Sequence, residues 1–374
     1  MKLIPLTQVS HALHAGVTLP WGVRDGNGSL LLAKGHVLTD ERAVEALLER
    51  GMFIDAADFT GGGNRADAAQ AENMSSRWAG LEARLGILLK SSTEKYFLQR
   101  VNDSIEPIAA LANGNIDLLI FLILRHDHSR LLNYGVVHSL HSAALCSLLS
   151  RRLGWTESQR QSIIGAALTM NIAMLELQGQ LALRGTRPTD AERKIIDEHP
   201  IVTGNLLREA GLSDEDWLDA VEQHHEHPGG TGYPMRHTAP TEMSRLLRFV
   251  DSFTAKHSPR TGRRPQPAQQ AARDLFVQSG GDPLAALVIK EFGIYPPGVY
   301  VKLASGEMAI VTQRGATANA PIVAAITNKH GDPLSHPVRR DTASATNAIV
   351  NTVAENLVRV RVSVDSLYDR NANR

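Results

Sequence analysis

At 374 residues the chain is too long for one core of ordinary size, which predicts two or three modules. Lysine plus arginine and aspartate plus glutamate number 39 each, so the formal net charge is zero and no global field recruits nucleic acid or an anionic membrane. An anionic ligand must therefore be held by a local cluster. The single cysteine, Cys146, excludes an internal disulfide, and its neighbours Ala144, Leu145, Leu148 and Leu149 suit a buried structural thiol in a reducing compartment.

The N-terminus carries Pro5, His11 and His14 where a signal peptide would have an unbroken apolar stretch. The longest apolar run, Ile116 to Leu124, contains Asp117 and is about half of a membrane span, which needs roughly 20 residues. The expectation is a cytoplasmic protein with no membrane span.

In chain order, residues 1–60 read as a small α/β module. Asp25-Gly26-Asn27-Gly28 marks a turn before the strand Leu30-Leu31-Leu32, and a helix capped at Thr39 or Asp40 stops at Gly51. Residues 61–76, rich in glycine, read as a linker. Residues 77–295 are helical nearly throughout. One face of the helix near His138 to Leu153 runs through His138, Ser142, Leu145 and Leu149. Thr189 and Glu192 form a capping box opening a helix that carries Ile195, His199, Val202 and Leu206 on one stripe, and Gly211 closes it. A further short helix sets Trp217, Val221, His224 and His225 on its inner side.

After Tyr295-Pro296-Pro297-Gly298 the apolar period shifts to two. Residues 296–374 read as a small C-terminal β module, with hairpins across Ser305-Gly306 and across Lys329 to Asp332, and renewed alternation from Val358 to Val364. The predicted fold class is mainly α, with a helical bundle between these two smaller modules.

His138, His199, the pair His224-His225, and Asp251 (one turn after Leu247) each fall on the apolar face of a predicted helix. Inward histidines and a carboxylate from several helices are how a bundle builds a transition-metal site. A lone histidine on such a face is a packed core residue, so it is the convergence of the set that points to metal.

The stretch Gln223-His224-His225-Glu226-His227-Pro228-Gly229-Gly230-Thr231-Gly232-Tyr233-Pro234 resembles the signature of HD-GYP domains, metal-dependent phosphohydrolases that open cyclic di-GMP. His138-Ser139, Glu198-His199-Pro200, Phe249-Val250-Asp251-Ser252-Phe253, Gly281-Asp282-Pro283 and Tyr295-Pro296-Pro297-Gly298 resemble other family elements in the family's order. The resemblance covers roughly residues 120–300 and implies an HD-GYP-like helical bundle, with His138, His199, His224, His225 and Asp251 as metal ligands. It implies Arg260, with Arg263 nearby, as groups that meet an anionic substrate. It also implies the loop Gly232, Tyr233 and Pro234 as a docking surface toward GGDEF-type cyclases, for which a structural turn is the alternative. No oligomeric state is implied.

The chain departs from the family pattern where the name-giving dyad should stand. Met170 replaces the histidine, Asn171 the aspartate and Met174 the family lysine. Gly229-Gly230 replaces Asp-Gly, Thr254 replaces a second aspartate, and Tyr134 stands where three-metal members carry a glutamate ligand. His126-Asp127 is an H-D pair by letter only, since it precedes the first-ligand helix, and reads as a solvated helix end.

The lost aspartate matters most. Two dications about 3.8 Å apart repel by roughly 17 kcal/mol even at an effective dielectric of about 20, and neutral Asn171 supplies no bridging charge. That leaves room for at most one divalent ion (iron, manganese or zinc) on His199, His224 and His225, with no cofactor obligatory. Met170 and Met174, one helical turn apart with Ile163 and Ala167, suit a dry filled interior. Two functions follow as expectations: a non-catalytic module that binds cyclic di-GMP or a protein partner, or a mononuclear phosphohydrolase with Arg260 and Arg263 at the phosphate.

Overall fold

The computed structural model describes residues 3–6, 19, 21–26, 28, 30–32, 47, 52–55, 74–125, 131–258, 260–262 and 266–368. The chain divides into two compact units, Met1–Glu72 and Asn73–Arg374.

In the first unit, β1 (Leu3–Pro5), β2 (Val23–Arg24), β3 (Leu30–Leu32) and β4 (Phe53–Asp55) form an antiparallel sheet in the order β1-β4-β2-β3. The predicted turn joins β2 to β3: the Gly28 N–H donates to the Asp25 carbonyl at 3.0 Å. Leu6, Leu19, Trp21, Val23 and Ile54 are its core. The helix expected between Thr39 and Gly51 falls almost wholly outside the described residues, as does most of the expected linker.

The second unit begins with helices α1 (Met74–Leu88), α2 (Phe97–Asn113), α3 (Ile116–Leu124), α4 (Tyr134–Arg152) and α5 (Glu157–Thr169). It continues through a 3-10 turn at Ile172–Met174, α6 (Leu175–Arg184), α7 (Asp190–Glu209) and α8 (Glu215–Gln223). Then come α9 (Glu242–His257), α10 (Ala268–Ser279) and α11 (Pro283–Phe292). Helix α1 starts at Met74, inside the stretch read from sequence as linker.

Helix starts follow local chemistry. Thr156 with Gln159 and Thr189 with Glu192 are complete capping boxes, and Asp214 accepts the Trp217 N–H at 3.0 Å. Helix α4 is the central element, buried on nearly every side from Tyr134 to Ser150, Cys146 included. Among the described residues no single helix is long and apolar enough to cross a membrane.

Two helical expectations need correction. On α7, Ile195 and Val202 are 47% and 44% exposed, while the buried face runs through His199, Pro200, Thr203, Gly204 and Leu207. The apolar letters suggested an inward stripe, but small residues occupy the packed face because neighbouring elements approach closely there. Met170 and Met174 are buried (0% and 8% exposed), yet they do not share a helix. Helix α5 stops at Thr169, Met170 is its C-terminal cap, and Met174 ends the 3-10 turn.

The chain then forms β5 (Tyr300–Leu303), β6 (Met308–Gln313), β7 (Ile322–Thr327), β8 (Pro333–Asp341) and β9 (Ile349–Val353). They make an antiparallel sheet in the order β8-β7-β6-β5-β9. Both predicted hairpins are present. The alternation at Val358 to Val364 is not a strand. Val358, Val360 and Val362 lie half-buried against the cluster around Phe121 and Tyr300, and the chain enters a short helix, α12 (Val364–Tyr368). Alternation reports one buried side, not a strand partner, and the free edge of β5 is taken by β9.

The sheet is bonded to the helices. Arg314, just after β6, donates to Asp117 on α3 at 2.6 Å and to the Glu291 carboxylate on α11 at 3.1 Å, while Glu291 also pairs with Arg152 on α4 at 3.2 Å.

Candidate metal centre

Helix α8, which leads into the histidine pair, packs closely on α5. A Cβ at Gly165 would drive into the Trp217 indole, so glycine permits the close approach. The indole N–H then donates to Thr169 Oγ1 at 2.9 Å. Helix α8 ends at Gln223, so His224 and His225 sit at its C-terminal exit rather than on its inner side.

His199, His224 and His225 each offer a ring nitrogen, and these atoms lie within 4.8 Å of one another. Tautomers follow from the backbone. The His199 Nδ1–H donates to the Ile196 carbonyl at 2.5 Å, and the His224 Nδ1–H donates to the Val221 carbonyl at 2.6 Å. Each Nε2 is therefore left with its lone pair, and these two atoms face each other at 3.3 Å. Two acceptors at that distance need a proton or a cation between them. Burial disfavours the proton: it pushes His199 down to about 3, helped by the charge His224 would carry, and pushes His224 and His225 down as well. The three residues therefore fit one divalent ion, which neutral imidazoles suit.

His225 is steadied by the next loop. Tyr233 stacks on it at 4.5 Å between ring centres, and the Tyr233 N–H donates to the His225 carbonyl at 3.3 Å. Gly232 lies against the backbone of His225 to His227, where a Cβ would collide. The Glu226 carboxylate, fully buried, accepts the N–H groups of Met235 at 2.7 Å and His237 at 3.1 Å. Gly232-Tyr233-Pro234, with a cis Tyr233–Pro234 peptide, is thus folded back onto the histidines.

His138 and Asp251 form the other half. The His138 Nε2–H donates to Asp251 Oδ1 at 2.8 Å, and Thr254 lies 3.4 Å from its Nδ1. Burial alone would raise the Asp251 carboxyl, but the hydrogen bond from His138 and the surrounding histidines outweigh it and hold the group below the usual carboxylate range. This pair satisfies itself.

Asn171 is 1% exposed, and neither its amide nitrogen nor its oxygen has a protein partner. Arg260 donates through Nη2 to Tyr134 Oη at 2.6 Å. Arg263 and the His126-Asp127 pair lie outside the described residues. The structure thus brings together His138, His199, His224, His225 and Asp251. Sequence reasoning missed the loop-holding carboxylate of Glu226, which its place beside the histidine pair could have flagged, and the Tyr134–Arg260 bond, for which no local pattern exists.

A buried histidine site lies at the meeting of α4, α7, the α8 exit and α9, within a mainly helical unit. Residues 122–282 match the HD domain family. The chain is 27% identical over 218 residues to the cyclic di-GMP phosphodiesterase PA4108 of Pseudomonas aeruginosa, covering 55% of this chain and 52% of that protein. It is 28% identical over 102 residues to the cyclic di-GMP phosphodiesterase PdeB of Borreliella burgdorferi, covering 27% of each. The chain thus spans about half the length of the first curated relative and about a quarter of the second. In fold it is similar to Bd1817, an HDG"Y"P protein from Bdellovibrio bacteriovorus, with a TM-score of 0.51 and 14% identity over 77% of this chain and 98% of that one. The similarity to the HD domain family covers residues 122–282, less than half of the chain.

Proposed function

We propose that this protein is a cyclic di-GMP signalling protein that binds the dinucleotide at a reduced, one-ion site and lacks ordinary two-metal hydrolysis. The observation that carries this reading is the contrast between the two halves of the site. The Nε2 atoms of His199 and His224 face each other and call for a cation, whereas His138 and Asp251 satisfy one another. Met170 and Asn171, buried at the dyad positions, add no anionic ligand that would bridge a second ion.

An ion on His199, His224 and His225, iron, manganese or zinc by ligand type, would polarise a phosphate oxygen. Arg260 supplies the charge-assisted donors that a phosphodiester takes. The cyclase partner implied by the resemblance gains no support from a loop whose Tyr233 stacks inward on His225.

The test combines metal content per chain after chelator-free purification, calorimetric titration with cyclic di-GMP, and a hydrolysis assay with manganese or iron. One ion per chain, with binding and no turnover, is expected. Two ions per chain, or turnover matching an intact family member and abolished by His224→Ala, would overturn the reading. A second reading, a mononuclear phosphohydrolase, is favoured by the close histidine trio itself. Slow turnover with one ion per chain, lost in His224→Ala, would select it.

A further inference from the structure

Tyr134 opens α4 one turn before His138, a spacing that brings side chains together, and the two rings stack with centres 5.8 Å apart and planes 8° from parallel. The tyrosine is only 6% exposed, so its hydroxyl needs a partner within the protein. That partner is the Arg260 guanidinium, which donates to Oη at 2.6 Å and lies 4.7 Å from the ring centre.

Arg260 is fixed from its backbone as well. The next residue, Thr261, donates its N–H to the Ala182 carbonyl on α6 at 2.8 Å, and Gly185 lies so close to Thr261 that a Cβ there would collide. The turn carrying the arginine is thus moored to α6 while the side chain is moored to α4.

Two features of Arg260 remain unexplained by packing. Its Nε is buried with no acceptor, and it makes no ion pair with a carboxylate among the described residues. Buried guanidinium donors are ordinarily paired. Among the described residues the group that holds it is a neutral phenol, which fixes the position of the charge without cancelling it. A carboxylate at position 134 would have held the arginine equally well and neutralised it.

We propose that Tyr134 is a positioning residue, which keeps the Arg260 guanidinium uncompensated, one aromatic ring from His138, to receive an anionic phosphate oxygen of the bound nucleotide. This rests on the functional reading above. A guanidinium presents a planar fork of donors, and with one arm held by Tyr134 its plane is left in a fixed orientation for an oxyanion.

The test uses the full chain and the variants Tyr134→Phe, Arg260→Ala and their combination. Tyr134→Phe keeps the ring and its stacking on His138 and removes only the hydroxyl. Titration with cyclic di-GMP should show each single change weakening binding by about 10-fold, the usual scale for a hydrogen bond to a charged group. The double variant should bind no more weakly than Arg260→Ala. Phenylglyoxal modification at Arg260, followed by mass spectrometry without ligand, should run severalfold faster in Tyr134→Phe. Unchanged affinity and modification rate in Tyr134→Phe would overturn the proposal, as would losses that add in the double variant. If the wild-type chain binds no cyclic di-GMP, the functional reading fails. Inorganic pyrophosphate then decides the role of Tyr134: the same ranking of variants supports it, and no binding overturns it.

Discussion

Nε2 of His199 lies 3.3 Å from Nε2 of His224, and both rings donate their Nδ1–H to backbone carbonyls. The expected consequence is one tightly held ion per chain at neutral pH. Because burial holds His199 down to about 3, neutral imidazole persists well below the ordinary histidine range, and protons compete weakly for this ligand between pH 7 and about 5. Metal content should stay near its neutral value across that interval and fall to background in His224→Ala. Loss of the ion in wild type by pH 6 would contradict the tautomer assignment.

Repair of the dyad should change stoichiometry before chemistry. Met170→His with Asn171→Asp supplies one imidazole and one carboxylate to complete the five candidate ligands His138, His199, His224, His225 and Asp251, so metal per chain should rise above the parent's. Both changes should be needed, and His199→Ala should reverse much of the gain. Turnover should return weakly if at all, because Met174 and Gly229 still depart from the family pattern and catalytic geometry must hold to about 0.5 Å. A folded double variant with the parent's metal content would show that residues 170 and 171 do not occupy the dyad positions.

Asn171 offers a separate test. A buried, unpartnered polar group costs about 1–3 kcal/mol, and the side-chain amide of Asn171 is in that state and caps no helix. Asn171→Leu, which keeps the branching of the side chain, should stabilise the metal-free protein by about 1–3 kcal/mol in denaturant unfolding. Destabilisation of that size would mean that the amide serves a partner.

His257 sets an acid-side prediction. Burial, against a bond with the Gln266 backbone, lowers it to about 4, and its ring sits 4.6 Å from Phe253 and 6.3 Å from Phe292. The unfolded chain takes up this proton below about pH 6.5, while the folded chain resists until about pH 4. Its contribution to stability is therefore present above pH 6.5 and is lost as pH falls toward 4, by about 3 kcal/mol. His257→Phe should flatten the unfolding free energy over that window. An unchanged pH slope in the variant would remove His257 as the cause.

The parts legible in the sequence were those written locally. Thr189 with Glu192 announces the start of α7, Ser305-Gly306 announces a hairpin, and helical spacing places His138 and His199 on packed faces. What was not legible depended on neighbours far along the chain. Ile195 and Val202 look like core residues until Gly204 and Thr203 are seen to occupy the packed face instead. Met170 and Met174 look like one helical turn, but the chain breaks from α5 into a 3-10 turn between them. The bond of Tyr134 to Arg260 joins residues 126 positions apart, beyond the reach of any spacing rule.

The Arg314 ion cluster makes the C-terminal sheet an integral part of how the helices unfold. Arg314 answers both Asp117 and Glu291, and Glu291 is also met by Arg152. Cutting the chain after Pro296 would leave Asp117 with no arginine and Glu291 with only one, and would strip Phe121 of its cover by Tyr300, Ile310 and Leu367. Uncompensated charge of this kind costs about 3–5 kcal/mol, a large share of a domain's whole stability. Sheet and helices should therefore melt in one calorimetric transition, and the β strands cannot be exchanged like an independent cassette.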